Sequence, residues 1–534
     1  MRHSRNFAGL VVFATLATAR DVQKAGLTVP AEYAESKESV VRIFTDAFAA
    51  YEKYAWGHDD VKPVSGSFLD SRNGWGASIV DAMSTMLVMD LKDQYAKALE
   101  YAVNIDFDKP NVSGPVSVFE TTIRYLGGML SAYELNSKLN GQKDEALVKK
   151  AQQVADNMAH AWVGDQTVPW GWIDFTNNTP KEDNSNIAEA GTLIMEWGKL
   201  SEYSGNKTYL ELAEKSFRQI ATNNGTLFPG LAGQGINPRD GSFSSKYITW
   251  GGASDSYFEY LIKYARLTNN ADPLWVQQWK LAVDSSIEHL MSRTTVGNWL
   301  MLGDMDEDLK LRHIGSHLAC FHGGNWILGG QMLNNDTIVK YGLELTDACI
   351  NTYAGTATNI GPDGFAYISE DGDFTGGSGP SDEQKAFNDE HGFYVTSGQY
   401  LLRPEVMESN FYAWRATGDT KYLDNAAAFV KKIEQYLKVS ETGGYASLQD
   451  VNVAPPNFID DTESFFFAEV MKYLFLTFDS PDHINMNEWV FNTEAHPFIA
   501  PEALESYEPG HSACKSKKAK KARRAKKSRI ADQY

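Results

Sequence analysis

Two helix starts bring carboxylates together with partners that chemistry could use. In VSVFETTIRYLGGML, Ser117 precedes Glu120 by three residues, the spacing of a capping box, and the apolar face continues through Ile123, Leu126 and Leu130. Capping alone would account for Glu120. Arg124, however, lies one turn further on the same face, and an acid with a guanidinium could hold a sugar hydroxyl and a proton donor together. In LLRPEVMESNFYAW, Pro404 suits a first helical position, so Glu405 falls in the first turn with Glu408 three residues on. A helix N-terminus favours the ionised carboxylate, which makes Glu405 a better base than acid, although complementing the helix dipole would explain it equally. Asp255 opens a third helix in GGASDSYFEYLIKY, and Asp363 sits in the turn-forming loop NIGPDGF. Acids on several inward helix starts suit glycoside hydrolysis, which needs two carboxyl groups flanking the scissile bond.

Other chemistries lack their residues. There is no G-x-S-x-G elbow, no HExxH, no phosphate-cradling glycine loop and no CxxC pair. Asp304, Asp306 and Asp308 resemble the start of an EF-hand, but Leu309 stands where glycine is needed and Gly315 where the bidentate glutamate should be, so they read as a charged loop. Aromatic residues make up 12% of the chain, enough for sugar stacking as well as for a core.

A loose repeat must position these side chains. A helix, a short polar turn and a second amphipathic helix recur from Leu130 (SAYELNSKLNGQKDEALVKKAQQVA), Leu200 (SEYSGNKTYLELAEKSF), Leu261 (IKYARLTNNADPLWVQQWKLAV) and Tyr412 (AWRATGDTKYLDNAAAFVKKI), with weaker copies near Met86 and Val470. Strand-type alternation is scarce. Paired helices of irregular period predict an all-α fold, a closed ring of helical hairpins, with the glycine-rich loops at 230–241 and 355–392 gathered on one face.

The 534 residues predict one large domain, since nothing between about residues 40 and 500 reads as a linker. Arg2 and Arg5, the apolar run at 7–16 and Ala17-Thr18-Ala19 form a signal-peptide pattern for residues 1–19, followed by an extension at 20–39. That run is about half of the roughly 20 apolar residues a membrane span requires. The expected location is the secretory pathway, luminal or secreted, where Cys320 and Cys349 could bond or remain buried thiols; Cys514 is the third cysteine. Five sequons, at Asn111, Asn177, Asn206, Asn224 and Asn335, permit glycosylation. The formal charge of −20 conceals ten basic residues and no acid in 515–529, which leaves −30 for the rest; an acidic body disfavours nucleic acid and anionic membranes, and 504–534 read as a disordered basic tail.

The ordered segments GWGASIVDAMSTMLVMDL, VSVFETTIRYLGGMLSAYEL, EAGTLIMEWGKLS, DSYFEYLIKY, HLACF, LLRPEVMESNFYAWRATGD, ESFFFAEVMKYLFLTF and WVFNTEAHPF resemble the motifs of family 47 α-mannosidases over roughly residues 40–500, which implies a catalytic domain at 40–503. The resemblance implies an (α/α)7 barrel and a calcium-dependent, inverting exo-α-1,2-mannosidase that trims high-mannose N-glycans as a monomer. It makes Glu120 the general acid, acting through a water, Glu405 the base, and Asp255 and Asp363 further catalytic acids. Thr493 matches the Ca²⁺ ligand. Arg124, His317, Arg403, Glu408, Phe465, Glu469 and Glu494 match substrate-binding positions, and Cys320 and Cys349 the family disulfide. One departure is Ala253, where members that stop after one mannose carry arginine; a broader specificity is expected. A mannose-glycan lectin of the same fold and another helical-barrel glycosidase are the alternatives.

Overall fold

The computed structural model describes residues 21–504 and 506–507. The signal-peptide pattern at 1–19, the basic run at 515–529 and Cys514 lie outside the described residues. Fourteen of the helices among the described residues, labelled here in chain order, build the barrel. They are α1 (Ala34–Tyr54), α2 (Ala77–Val88), α3 (Lys92–Ala102), α4 (Gly127–Asn140), α5 (Glu145–Met158), α6 (Ile194–Ser204), α7 (Thr208–Ala221), α8 (Asp255–Leu267), α9 (Leu274–His289), α10 (Phe321–Met332), α11 (Asp336–Ala354), α12 (Glu405–Thr417), α13 (Lys421–Tyr436) and α14 (Met471–Phe478).

Sequential helices pack as hairpins: α2 with α3, α4 with α5, α6 with α7, α8 with α9, α10 with α11 and α12 with α13. The seventh pair joins the ends of the chain, α14 with α1. The first members form a closed circle, each touching the next from α2 through α4, α6, α8, α10, α12 and α14 back to α2. The ring of hairpins expected from the repeat is therefore a sevenfold helical barrel.

Burial separates the two layers. Every residue of α2, α10 and α14 is buried, and every residue of α8 except Asp255, as befits helices with neighbours on all sides. The outer helices bury one stripe at helical spacing, such as Leu147, Val148, Ala151, Val154, Ala155 and Met158 of α5, or Tyr422, Leu423, Ala426, Phe429, Val430 and Ile433 of α13. Each such apolar side chain contributes about 1.5–3 kcal/mol when fully removed from water. The polar turns seen in the sequence end three inner helices on glycines with left-handed backbones, Gly141, Gly205 and Gly418, where a side chain would be strained. Cys320, just before α10, is bonded to Cys349 of α11 and staples one hairpin.

Small sheets close the two ends of the barrel. A three-stranded antiparallel sheet of Ile314–Ser316, Gly364–Ala366 and Tyr394–Ser397 sits over one rim. At the opposite end a hairpin, Trp489–Phe491 with Pro497–Ile499, pushes its tip into the ring. The tip is pinned from several inner elements: the Asn492 amide donates to the Ile123 carbonyl (3.1 Å) and to Glu196 (2.8 Å), the Tyr260 hydroxyl accepts from the Thr493 amide (3.2 Å), and Lys472 Nζ donates to the Ala495 carbonyl (2.7 Å). The barrel thus has a floor made by its own C-terminal segment.

Candidate active site

Inside the ring, above that floor, is a cavity of about 540 Å³. Eight carboxylates line it: Glu120, Glu189, Asp255, Glu259, Glu405, Glu408, Glu463 and Glu469, joined by Glu494 from the floor, with Arg72, Arg124 and Arg403 among them. Of the residues singled out in the sequence, Glu120, Arg124, Asp255, Arg403, Glu405, Glu408, Phe465, Glu469, Thr493 and Glu494 all face this space.

Asp363 and His317 stand behind it. Asp363 Oδ1 accepts from Arg403 Nε at 2.7 Å, so it orients the guanidinium rather than reaching into the cavity. His317, 1% exposed, offers Nδ1 to Glu405 Oε2 at 2.8 Å and Nε2 to the Tyr353 hydroxyl at 2.7 Å. Both hang from the small sheet at the rim: the His317 amide donates to the Asp363 carbonyl, and the Asp363 amide to that of Gln399.

Glu120 is held by its backbone and by its charge in different ways. The Ser117 hydroxyl accepts from the Glu120 amide at 3.2 Å, as a helix cap should, but the carboxylate turns to Arg124 Nε (2.8 Å) and Arg72 Nε (3.4 Å) instead of closing the box. Arg124 also pairs with Glu494 and approaches Asp81 at 3.6 Å, while Arg72 donates to Glu463 at 2.9 Å and lies 3.3 Å from Asp60. Just past Glu120 the chain widens into a π turn, Thr122–Leu126, and the same happens at Phe466–Val470 beside Phe465. Such turns insert an extra residue per turn, which swings Arg124 and Glu469 into the ring from helices whose faces are otherwise apolar.

Phe465 is 9% exposed and presents its ring to the cavity with the Arg124 guanidinium 5.6 Å from its centroid, whereas Phe466 and Phe467 are fully buried in the core. One aromatic of the three is thus left as an apolar floor for a sugar ring.

The carboxylates differ in proton affinity. Burial pushes the Asp255 carboxyl up to about 7, with Glu259 and Glu405 adding repulsion against hydrogen bonds from Ser256. Burial also acts on Glu405, but the His317 hydrogen bond and charge and the Arg403 guanidinium outweigh it and hold the group below its usual range. For Glu120 burial is likewise overcome, by Arg124 and Arg72, so it too stays ionised. Burial raises Glu408 to about 8 despite Lys263, which lies 3.6 Å away and is bound to Glu259. Two acids facing one cavity whose proton affinities are pushed apart, one up and one down, are the electrostatic arrangement of an acid–base pair.

Sequence reasoning missed Arg72, Glu189, Glu259 and Glu463. Glu259 had a signal, since it lies four residues after Asp255 on the same helix face. Arg72, in the loop SRNGWG, had none, because its partners are 12, 48 and 391 residues away in the chain.

The profile of Glycosyl hydrolase family 47 matches residues 43–500. The chain belongs to that family. It is 37% identical over 511 residues to mannosyl-oligosaccharide alpha-1,2-mannosidase 1B of Emericella nidulans, covering 92% of this chain and 99% of the relative. A mannosyl-oligosaccharide alpha-1,2-mannosidase of Coccidioides posadasii is 38% identical over 481 residues, 87% of this chain and 90% of its own length. The solved alpha-1,2-mannosidase from Trichoderma reesei superposes with a TM-score of 0.83 at 36% identity, covering 88% of this chain and 99% of that one. The family is one of glycoside hydrolases, and no helix among the described residues is long and apolar enough to cross a membrane.

Proposed function

We propose that this family 47 hydrolase is an inverting exo-α-1,2-mannosidase that removes terminal mannose from high-mannose N-glycans in the secretory pathway, acting as a monomer with a bound Ca²⁺. The observation that carries the reading is the opposed pair in the cavity, Glu405 held below the usual carboxylate range by His317 and Arg403 and Asp255 pushed up to about 7 by burial. The names of the relatives from Emericella nidulans and Coccidioides posadasii support the substrate class.

In this reading a water attacks the anomeric carbon while Glu405 takes its proton, helped by His317 and Arg403, which favour the carboxylate before attack and fix its direction. The bond to the leaving oxygen breaks as a proton arrives there. Glu120 is ionised beside two arginines, so the proton originates on Asp255, and Glu120 orients the water that relays it. Arg124 and Phe465 hold the sugar, one by hydrogen bonds and one by its apolar face.

The surroundings of Thr493 fit a hard cation. It lines the cavity at the hairpin tip with Glu469 and Glu494 beside it, and burial raises both carboxyls well above their normal range, with Glu494 repelling Glu469 and Asp81 repelling Glu494. Among the described residues no three His, Cys, Asp or Glu side chains converge as a ligand set. The ion would be held by the hydroxyl and carbonyl oxygens of Thr493 with water completing its shell, and would supply charge to fix sugar hydroxyls.

The test is hydrolysis of Manα1,2Man followed by proton NMR. Early β-mannose, lost after EDTA, is expected; early α-mannose sinks the inverting assignment, and binding without turnover favours a lectin.

A further inference from the structure

Two helices meet on the His317 imidazole from opposite sides. Glu405, the first residue of α12, lies at Nδ1 (2.8 Å), and Tyr353, in the last turn of α11, at Nε2 (2.7 Å). A carboxylate held below its usual range stays ionised and only accepts, so Nδ1 carries the hydrogen of the first contact. The Tyr353 hydroxyl can donate to Nε2 when that nitrogen is bare and accept from it when it is protonated. It therefore keeps the ring anchored in either charge state, with Nδ1 always towards Glu405.

The tyrosine is itself held. It is 7% exposed, and its ring meets Phe429 of α13 edge-on at 5.4 Å. A Cβ at Gly361 would collide with Cε2 of that ring, so the loop backbone at 361 presses directly on it. Two residues on, the Asp363 carbonyl accepts from the His317 amide at 3.0 Å. One short loop thus sets the relative position of both side chains. Burial, with Tyr400 and Glu405 close by, pushes the Tyr353 hydroxyl well above the ordinary tyrosine range, so it keeps its hydrogen. Tyr400 packs its ring 5.7 Å from the imidazole but donates its own hydroxyl to the Arg403 carbonyl at 3.1 Å, away from the pair. The other charged groups around Glu405 are Arg403, with Asp363 bound to it, and Asp255, Glu408 and Glu469, which feel its charge. Both ring nitrogens of His317 are taken, so Tyr353 reaches the carboxylate through this ring.

We propose that Tyr353 is a positioning residue for the hydrolysis: its hydroxyl fixes the tautomer and rotation of His317, and through that ring the direction of the Glu405 carboxylate, which rests on the reading of Glu405 as the base. Tyr353 lies outside the cavity lining and needs no contact with substrate.

Tyr353→Phe removes one oxygen and keeps the ring that packs on Phe429 and Gly361. With Manα1,2Man between pH 3 and 9, kcat should fall by about fivefold or more while KM stays within about twofold. The acid limb should move to higher pH, because a Glu405 less firmly held by His317 takes up its proton earlier as pH falls. On a His317→Phe background the same substitution should change the residual kcat by less than about twofold, as expected of a residue acting through that ring. In protein labelled with ¹⁵N-histidine, the NMR spectrum should show His317 with its hydrogen on Nδ1, and the Nε2 resonance should shift in Tyr353→Phe. An unmoved acid limb and kcat, a lowered melting temperature with the limb unmoved, an equal loss on the His317→Phe background, or an Nδ1 without hydrogen in the wild type would each overturn the assignment. Wild-type enzyme that does not hydrolyse Manα1,2Man would instead refute the proposed activity, and the histidine spectra would still decide the pair.

Discussion

The division of protons between Asp255 and Glu405 can be read directly from a pH profile. If Asp255 supplies the proton, the free enzyme is competent only while that carboxyl is protonated, so kcat/KM must fall as pH rises through about 7. About half the enzyme is then active at pH 7, about a tenth at pH 8 and about a hundredth at pH 9. A carboxyl at the ordinary aspartate value of about 3.9 would leave only about a thousandth protonated at pH 7. On the acid side the limb belongs to Glu405, which must be ionised, and because its affinity for protons is lowered that limb lies below the normal glutamate range. The assay is initial-rate release of mannose from Manα1,2Man between pH 3 and 9, at constant ionic strength, well below KM. Glu259→Gln removes one of the charges that repel Asp255 and should move the alkaline limb to lower pH. Asp255→Asn should cost about 10²–10⁴ in rate. An alkaline limb below pH 5 in the wild type, or near-normal turnover with an unchanged limb in Asp255→Asn, would refute the assignment.

Thr493→Ala should abolish the stabilisation that Ca²⁺ gives, about 2.7 kcal/mol at a hundredfold excess over Kd, and make the melting temperature indifferent to EDTA; calorimetry with and without chelator checks this. Cys320→Ser with Cys349→Ser opens a bridge spanning 29 residues, which costs about 3–4 kcal/mol on the chain-entropy scale and lowers Tm by roughly 3–4 °C in a chain of this size, with kcat little changed. Arg72→Met leaves Asp60, 1% exposed, and Glu463 without their cation and should destabilise the fold by about 3–5 kcal/mol in urea unfolding, with Arg72→Lys giving partial rescue.

Most of the frame was written locally. The hairpins could be read because an amphipathic stripe, a glycine with a left-handed backbone at the turn and a second stripe are properties of neighbours in the chain, as at Gly141, Gly205 and Gly418. The first-turn placement of Glu405 and the cap at Ser117 are local for the same reason. The motifs that resemble family 47 likewise picked out ten residues that meet in one cavity, because the resemblance carries a tertiary arrangement that the spacings do not.

What the chain order could not reveal is how those groups are charged and which of them reach the substrate. Glu120 and Glu405 stand alike at helix starts with Asp255, yet the first two are held below the usual range and the third is pushed up to about 7, since burial acts on all three and only the first two gain Arg72 and His317 from distant segments beside the local Arg124 and Arg403. Asp363 and His317 looked no different from the acids that line the cavity until the sheet at the rim placed them one layer behind it. The seventh hairpin pairs α14 with α1 across almost the whole chain, and only that closure encloses a space from which water can be partly excluded. Helical periodicity is a short-range property and was decided by the sequence; solvation and Coulomb energy depend on distances through space, and those existed only once the ring had closed.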